Sequence, residues 1–340
     1  MKAAVFHGKG DFRVEDVDDA SPGEGQVLVR VDYCGICGSD LHMVESDLLP
    51  VPPEGIVLGH EFAGEIVDVG AGVPPSRKGE GVAVVPALFC GECQFCRGGR
   101  MMLCRNQTPT IGLGVMRGAL AERVAVDART AIPLDGVSAR DGALAEPLAV
   151  AHHGVGLADL EAGQSVLVTG CGPIGALVIQ VLKALGHERI IASEPSAFRR
   201  QLALRLGAME AVDPVQQDLT AAVQKEAGPL GVDVVFECTG LPLVIGQALS
   251  LLRPAGTMVV LGVGMEPAPI SPLMLVVNEH TIKGALGYSD LFTSSLQLLR
   301  DGVIDVDAVI STTRPLEEVG ATFRDLASNP SLCKVLIAPH

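Results

Sequence analysis

The chain has 340 residues and a formal net charge of −15; 48% of its residues are hydrophobic and only 3% are aromatic. That length predicts about two domains, and the acidic balance argues against a nucleic-acid partner, which needs a basic face against phosphate. The opening MKAAVFHGKGDF has no apolar signal core, and no uncharged apolar stretch approaches membrane-spanning length. The expectation is therefore a cytoplasmic protein without a membrane partner, its nine cysteines serving as metal ligands or small buried hydrophobes rather than disulfides.

From residue 1 to about 145, short alternating segments are broken by Gly and Pro, as at 26–33 (QVLVRVDY), 61–69 (EFAGEIVDV) and 81–86 (GVAVVP). This spacing predicts an irregular, mostly antiparallel β domain. Within it, Cys37 lies in GICGSDLH, and His60 and Glu61 lie in LGHEFAG. A thiolate, an imidazole and a carboxylate form a mixed donor set that leaves room for water or substrate, as a catalytic zinc requires. Zinc there would stabilise the alkoxide form of an alcohol and so ease departure of a hydride. Taken singly, Cys37 or His60 reads as an ordinary core residue; their combination with the motifs below reverses that judgement. Asp40 is placed to accept a hydrogen bond from the metal-binding imidazole, and Ser39 and His42 to pass a proton to solvent. A Ser-Asp pair in such a turn also serves simply as a helix cap. Cys34 reads as packing, despite its C-x-x-C spacing to Cys37. The stretch 44–53 (VESDLLPVPP) is expected to border the substrate pocket.

Next come Cys90, Cys93, Cys96 and Cys104, a C-x2-C-x2-C-x7-C array within a lobe at 86–106. Four thiolates separated by tight turns can close a tetrahedral site with no open position, which marks a structural zinc. An iron–sulfur cluster is the rival occupant, and four unligated buried cysteines the bland alternative. Glu146, in LAEPLAV, precedes Pro147. It is either a carboxylate favouring a helix N-terminus or a further zinc contact exchanging with water.

Beyond residue 149 the rhythm changes. Apolar runs at 165–169, 189–192, 232–237 and 257–261 alternate with helical stretches at 174–185 and 197–206, which predicts a βαβ array and a parallel sheet covered on both faces. The first run leads into Gly170-Cys171-Gly172-Pro173-Ile174-Gly175, a G-x-G-x-x-G with the strand-before, helix-after context that makes the motif informative. Its glycines let the backbone approach a pyrophosphate seated on the helix N-terminus. Glu194 follows Gly175 by nineteen residues. A carboxylate there accepts from ribose hydroxyls and repels a 2′-phosphate, favouring NAD over NADP. Arg199 and Arg200 complicate this preference, since a nearby Arg can host that phosphate; otherwise they form a solvated helix face. A helix at 294–300 and a strand at 334–338 close the chain.

In this order and spacing, CGICGSDLH, GHEFAGEIVDVG, the four-cysteine lobe, AEPLAV, VTGCGPIGAL, VVFECTG and HTIKGALG resemble the zinc-containing medium-chain dehydrogenase/reductase family, in particular its polyol, 2,3-butanediol and threonine dehydrogenase branch. The resemblance covers essentially the whole chain. It implies an α/β protein with a GroES-like β-rich catalytic domain at 1–148 and 288–340, a Rossmann domain with a doubly wound parallel sheet at 149–287, and an active site between them. It also implies two zinc ions per subunit: a catalytic one on Cys37, His60 and Glu61, with Glu146 replacing a cysteine, and a structural one on the knuckle. Around NAD it implies backbone contact at Ile174, ribose contact at Glu194 and Arg199, and nicotinamide contacts near Leu261, Gly262, Val263, Ala285 and Leu286. Lys334 would approach the pyrophosphate. A homotetramer is the first expectation and a homodimer the second, with 303–310 and 281–286 extending a sheet across a two-fold axis. The polyol branch's aromatic-rich pocket is not evident, because Tyr33 and Tyr288 are the only tyrosines.

The expected activity is hydride transfer between a secondary alcohol, vicinal diol or polyol and NAD, giving the ketone. The alternatives are an L-threonine-type 3-hydroxy amino acid dehydrogenase, a zinc-independent enoyl or quinone reductase on the same scaffold, and a non-catalytic, zinc-stapled NAD-binding protein. The joint presence of Cys37, His60 and Glu61 counts against the reductase. Ser39 and His42 would be unexplained in the non-catalytic protein.

Overall fold

A computed structural model describes residues 1–45 and 55–340. The predicted pocket border at 44–53 thus lies almost wholly outside the described residues. The chain forms two compact units. One comprises Met1–Glu146, Phe292–Gly302 and Ile310–His340, and the other Pro147–Leu291 with Val303–Val309.

The first unit is organised on the long strand Gln26–Gly35. Val27, Val29 and Val31 alternate inward along it, the period-two pattern that buries one face of a strand. It pairs antiparallel with Glu61–Val69 along its length, with Arg123–Asp127 near its start and with Lys334–Ala338 near its end. Outward from these, Gly81–Val84 and Ala131–Pro133 continue the sheet on one side and Ile310–Pro315 on the other. A small second sheet joins Asp11–Asp16, Lys2–Gly8 and Ile56–Val57. Aliphatic side chains from both sheets, with Phe6 and Phe62, make one core. This is the β-rich, mostly antiparallel domain that the residue pattern predicts.

In the second unit six strands pair parallel throughout. Their spatial order is Glu210–Val212, Ile190–Ser193, Val166–Thr169, Val232–Glu237, Leu252–Val260, Thr281–Gly284. Numbered by chain position this is 3-2-1-4-5-6, the doubly wound order of a dinucleotide-binding sheet. Val166–Thr169 and Ile190–Ser193 are buried at every position, as strands covered on both faces are. Helix Pro173–Ala184 starts with proline at its first turn, where the missing N–H costs nothing. Helix Ala197–Leu206 is capped by the Ser196 hydroxyl and ended by Gly207. Residues 303–310 do not form the sheet-extending segment expected of them. Val306–Val309 is a short helix, and Ile310 already belongs to a strand of the first unit.

Candidate active site and metal centres

In the first unit the strand Gln26–Gly35 ends where the backbone turns through Cys37 into helix Gly38–Glu45. The facing strand begins at Glu61, directly opposite Gly35 in the ladder. This register brings a ligand atom from each of Cys37, His60 and Glu61 within 4.8 Å of the others. His60 and Glu61 are buried, and Cys37 is partly accessible. The set is therefore closed on the protein side and open at the thiol, a donor chemistry suited to a catalytic zinc.

Asp40 is fully buried. Its Oδ2 accepts from the Cys37 N–H at 2.9 Å, and its Oδ1 lies 3.5 Å from His60 Nδ1. Burial alone would push the His60 imidazolium pKa down, but the Asp40 charge and the Cys37 contact outweigh it and raise the pKa well above the usual value. The imidazole thus sits in a field that attracts a cation, the role a zinc ion would take over from the proton. Ser39 is half-buried and His42 exposed on the same short helix.

Glu146 enters the first turn of helix Ala145–Leu157, as a carboxylate at that position predicts. It stands outside the converging trio but feels its charges. Burial pushes its pKa up to about 7, with Glu61 and Asp40 adding to the rise and His60 and Lys334 opposing it.

One partner in the site escaped the sequence reading. Lys334, at the head of strand Lys334–Ala338, is 2% exposed. Instead of being free for a pyrophosphate, its Nζ donates to Glu61 Oε1 at 2.8 Å and Oε2 at 2.6 Å, and to the Ile36 carbonyl at 3.0 Å. Burial lowers the ammonium pKa, but Glu61 and Cys37 raise it further, so the net shift is upward. The available signal was a lysine opening an otherwise apolar strand, since a buried lysine needs a partner.

The knuckle converges as predicted: the Cys90, Cys93, Cys96 and Cys104 sulfurs form one group, with separations of 3.5 Å for Cys93–Cys96 and Cys104–Cys90 and 3.9 Å for Cys90–Cys96. A tetrahedral zinc with bonds of about 2.3 Å places its sulfurs roughly 3.8 Å apart, so the residues fit the ion. The N–H groups of Glu92 and Cys93 hold the Cys90 thiol down at about 6, predisposing it to ligate as thiolate.

In the second unit the fingerprint follows strand Val166–Thr169. Gly170 has φ +80°, and a Cβ on Gly175 would stand 1.9 Å from the Gly170 carbonyl oxygen. Only glycine fits there. Gly172 is the cap of helix Pro173–Ala184, with Pro173 and Ile174 in its first turn. The Glu194 carboxylate is buried, accepting from the Cys171 N–H at 2.8 Å and the Ser196 N–H at 2.9 Å. Each oxygen keeps a lone pair for a further donor. Arg199 lies in the first turn of the Ser196-capped helix, near Gly172. Arg200 instead pairs with Asp213 at 3.0 Å and donates to the Glu194 and Pro195 carbonyls.

The fully buried Glu237, missed in the sequence, ends the neighbouring strand Val232–Glu237. Its carboxylate gathers the Thr239 N–H and hydroxyl and the Gly240 N–H, while its carbonyl accepts from Leu261 and Gly262. The loops at 238–241 and 261–264 are thereby held backbone to backbone at the carboxyl ends of the strands, beside the strand-order reversal where such sheets bind ligands. Val263 and Leu286 are exposed in these end loops, and Ala285 N–H donates to Val260.

Comparison with known proteins agrees with both units. Residues 23–136 match the alcohol dehydrogenase GroES-like domain family and residues 173–301 the zinc-binding dehydrogenase family. The chain is 37% identical to the (R,R)-butanediol dehydrogenase of Bacillus subtilis over the whole of both chains. It is 35% identical to the L-threonine 3-dehydrogenase of Pyrococcus furiosus, over 91% of this chain and 90% of that one. A crystal structure of a zinc-binding dehydrogenase from Sinorhizobium meliloti bound to NADP superposes with a TM-score of 0.90 at 35% identity, covering 99% of each chain. The chain belongs to the zinc-binding alcohol dehydrogenases of the medium-chain dehydrogenase/reductase family, and is an oxidoreductase that uses zinc and a nicotinamide cofactor.

Proposed function

We propose that the protein oxidises a secondary alcohol or vicinal diol to the ketone, with NAD as hydride acceptor; polyols are the next substrate class. The observation that carries this reading is the convergence of Cys37, His60 and Glu61 on one point. Zinc held there supplies a Lewis acid that stabilises an alkoxide. Cys37 and His60 anchor the ion, Asp40 orients His60, and Glu146 is a contact that exchanges with water. Ser39 and His42 carry the alcohol proton outward. A second zinc staples the knuckle. The first unit does the chemistry and the second binds cofactor, with Gly170, Gly172, Pro173, Ile174 and Gly175 around the pyrophosphate, Glu194 and Arg199 at the ribose, and the residues Leu261, Gly262, Val263, Ala285 and Leu286 near the nicotinamide. The buried Glu194 carboxylate supports NAD, against the NADP found in the Sinorhizobium neighbour.

The protein acts as a homotetramer, with a homodimer as the second reading. Strand Thr281–Gly284 is the edge of its sheet, and Leu273, Val276 and Val277 on helix Pro272–Asn278 are more than half exposed. An unpaired edge beside an apolar face suits a second copy. We place it in the cytoplasm, where its nine free cysteines stay reduced. No helix among the described residues is long and apolar enough to cross a membrane.

The test is NAD reduction followed by absorbance with butane-2,3-diol, sorbitol and L-threonine. Turnover on the diol, abolished in Cys37→Ala while NAD binding persists, is the expected result. Preference for threonine would favour the amino-acid reading, to which the Pyrococcus relative points. No turnover on any alcohol, with both zinc sites filled, would leave a non-catalytic NAD-binding protein.

A further inference from the structure

We infer that Glu237 and Thr239 are positioning residues for the cofactor, tying together the loops of its crevice through the Thr239 hydroxyl. This rests on the reading that a nicotinamide dinucleotide lies across the carboxyl ends of the second unit's strands, its pyrophosphate at Gly170–Gly175. The strand order of that sheet reverses beside Val166–Thr169 and Val232–Glu237, so Gly170 leaves one side of the crevice and Glu237 ends the other. Among the described residues, every donor to the Glu237 carboxylate comes from Thr239 or Gly240. The Thr239 N–H reaches Oε1 at 2.8 Å, the Thr239 hydroxyl donates to the same oxygen, and the Gly240 N–H reaches Oε2 at 3.0 Å. The carboxylate is fully buried, so this loop cannot swing away without leaving a charge unsatisfied.

The held loop touches its neighbours on both sides. The Thr239 methyl packs where Gly170 has no side chain: a Cβ on Gly170 would fall 2.6 Å from it. On the other side, a Cβ on Gly262 would stand 2.1 Å from the Gly240 nitrogen, and one on Gly264 would stand 1.9 Å from the Gly240 carbonyl oxygen. Glycines at 170, 262 and 264 are what let the three loops close on one another. The Thr239 hydroxyl works in both directions, donating to Glu237 and accepting from the Leu241 N–H at 3.0 Å. Those two bonds fix the Thr239 rotamer, and with it the methyl that leans on the phosphate turn. A packing role and a positioning role therefore rank substitutions in opposite order. Valine keeps the shape of threonine, whereas serine keeps its hydrogen bonds.

The experiment uses the zinc-loaded full chain and titrates NAD and NADP by calorimetry into wild type, Thr239→Val, Thr239→Ser, Glu237→Gln, Thr239→Val combined with Glu237→Gln, and Gly175→Ala. With the dinucleotide that wild type prefers, Thr239→Val is expected to bind roughly tenfold more weakly, and Thr239→Ser to stay within about threefold of wild type. Glu237→Gln should weaken binding as Thr239→Val does, and the double variant little more than either alone, because both remove the same hydrogen bond. KM for the dinucleotide should rise in step with Kd, while KM for the alcohol stays unchanged. With Gly175→Ala unable to bind, three results overturn the inference alone: wild-type affinity in Thr239→Val, affinity in Thr239→Ser as low as in Thr239→Val or lower, or additive losses in the double variant. The two Thr239 variants decide the matter even where Glu237→Gln fails to fold. Unchanged binding in Gly175→Ala, whose Cβ would stand 1.9 Å from the Gly170 carbonyl oxygen, overturns the crevice reading and the inference with it.

Discussion

A single methyl group added at Gly35 tests whether the carboxylate geometry matters. The Cβ of Gly35→Ala would lie 2.2 Å from Glu61 Oε2, 3.2 Å from Glu61 Cβ and 3.3 Å from Glu61 Cδ. Ordinary contact needs more than 3 Å, so the oxygen has to retreat by about 1 Å. An exposed glutamate would swing aside at little cost. Glu61 is fully buried and held at both oxygens by Lys334, so either the ion pair stretches or the strands part. Gly35 is itself bonded into the ladder between Glu61 and Leu336, which resists the second. Overpacking of this kind costs about 1–3 kcal/mol, and a donor displaced by roughly 1 Å costs on the order of 100-fold in rate. Urea denaturation, zinc content and kcat/KM on the preferred alcohol measure the three consequences. The expected result is a folded protein with stability reduced by about 2 kcal/mol and kcat/KM down by roughly two orders of magnitude. Wild-type stability together with wild-type kcat/KM would refute the claim that Glu61 is pinned.

In the second unit, Asp233 accepts from the Ser165 N–H and hydroxyl, both at 2.7 Å, and from Arg253 at 2.6 Å. Burial pushes its carboxyl up, but these donors outweigh it and hold the pKa below the usual value. Asp233→Asn should cost about 1.5–3 kcal/mol at pH 7. A depressed carboxyl stabilises above its unfolded pKa of about 3.9 and loses that contribution as pH falls through the lower folded value, so the gap from wild type should close below about pH 4. A gap of equal size at pH 7 and pH 3, by urea titration, would contradict this assignment. For the knuckle, stripping zinc should open the lobe to trypsin at Arg97, Arg100 and Arg105, all exposed. Losing a ligand present at 100 times its Kd removes about 2.7 kcal/mol, or roughly 5–10 °C in Tm. Identical digestion and melting with and without metal would show the lobe to be held by other contacts.

What was legible in the sequence was whatever lies close in the chain or repeats with a strand or helix period. The fingerprint and the knuckle each span under twenty residues, so local turns alone bring their groups together. Cys37 and His60 are further apart, yet both sit at strand ends whose alternation was plain. Lys334 was illegible as a partner of Glu61 because 273 residues separate them, and nothing in KVLIA says which carboxylate its first residue meets. Nothing in GICGSDLH singles out Gly35; its role follows only from the Gly35↔Glu61 register. The Glu237 staple was hidden for a different reason. A carboxylate at a strand end is ordinarily solvated, and only the folded loops show that it is enclosed. The assignment of 303–310 to a sheet edge went astray because Val306–Val309 coils into a short helix that buries Ala308 and Val309 instead of alternating as a strand.

The strand Lys334–Ala338 lies inside its sheet, between Ile310–Pro315 and Gln26–Gly35. On the ribosome it follows every other strand of both units. At about 5–20 residues per second, roughly 15–55 s pass between synthesis of Glu61 and of Lys334. Through that interval the second unit can complete its own core, while the first holds an acidic strand start with no counter-charge and an open slot along Gln26–Gly35. Closing that slot and neutralising Glu61 are one event. The residue that neutralises Glu61 thus arrives only after the second unit has been made.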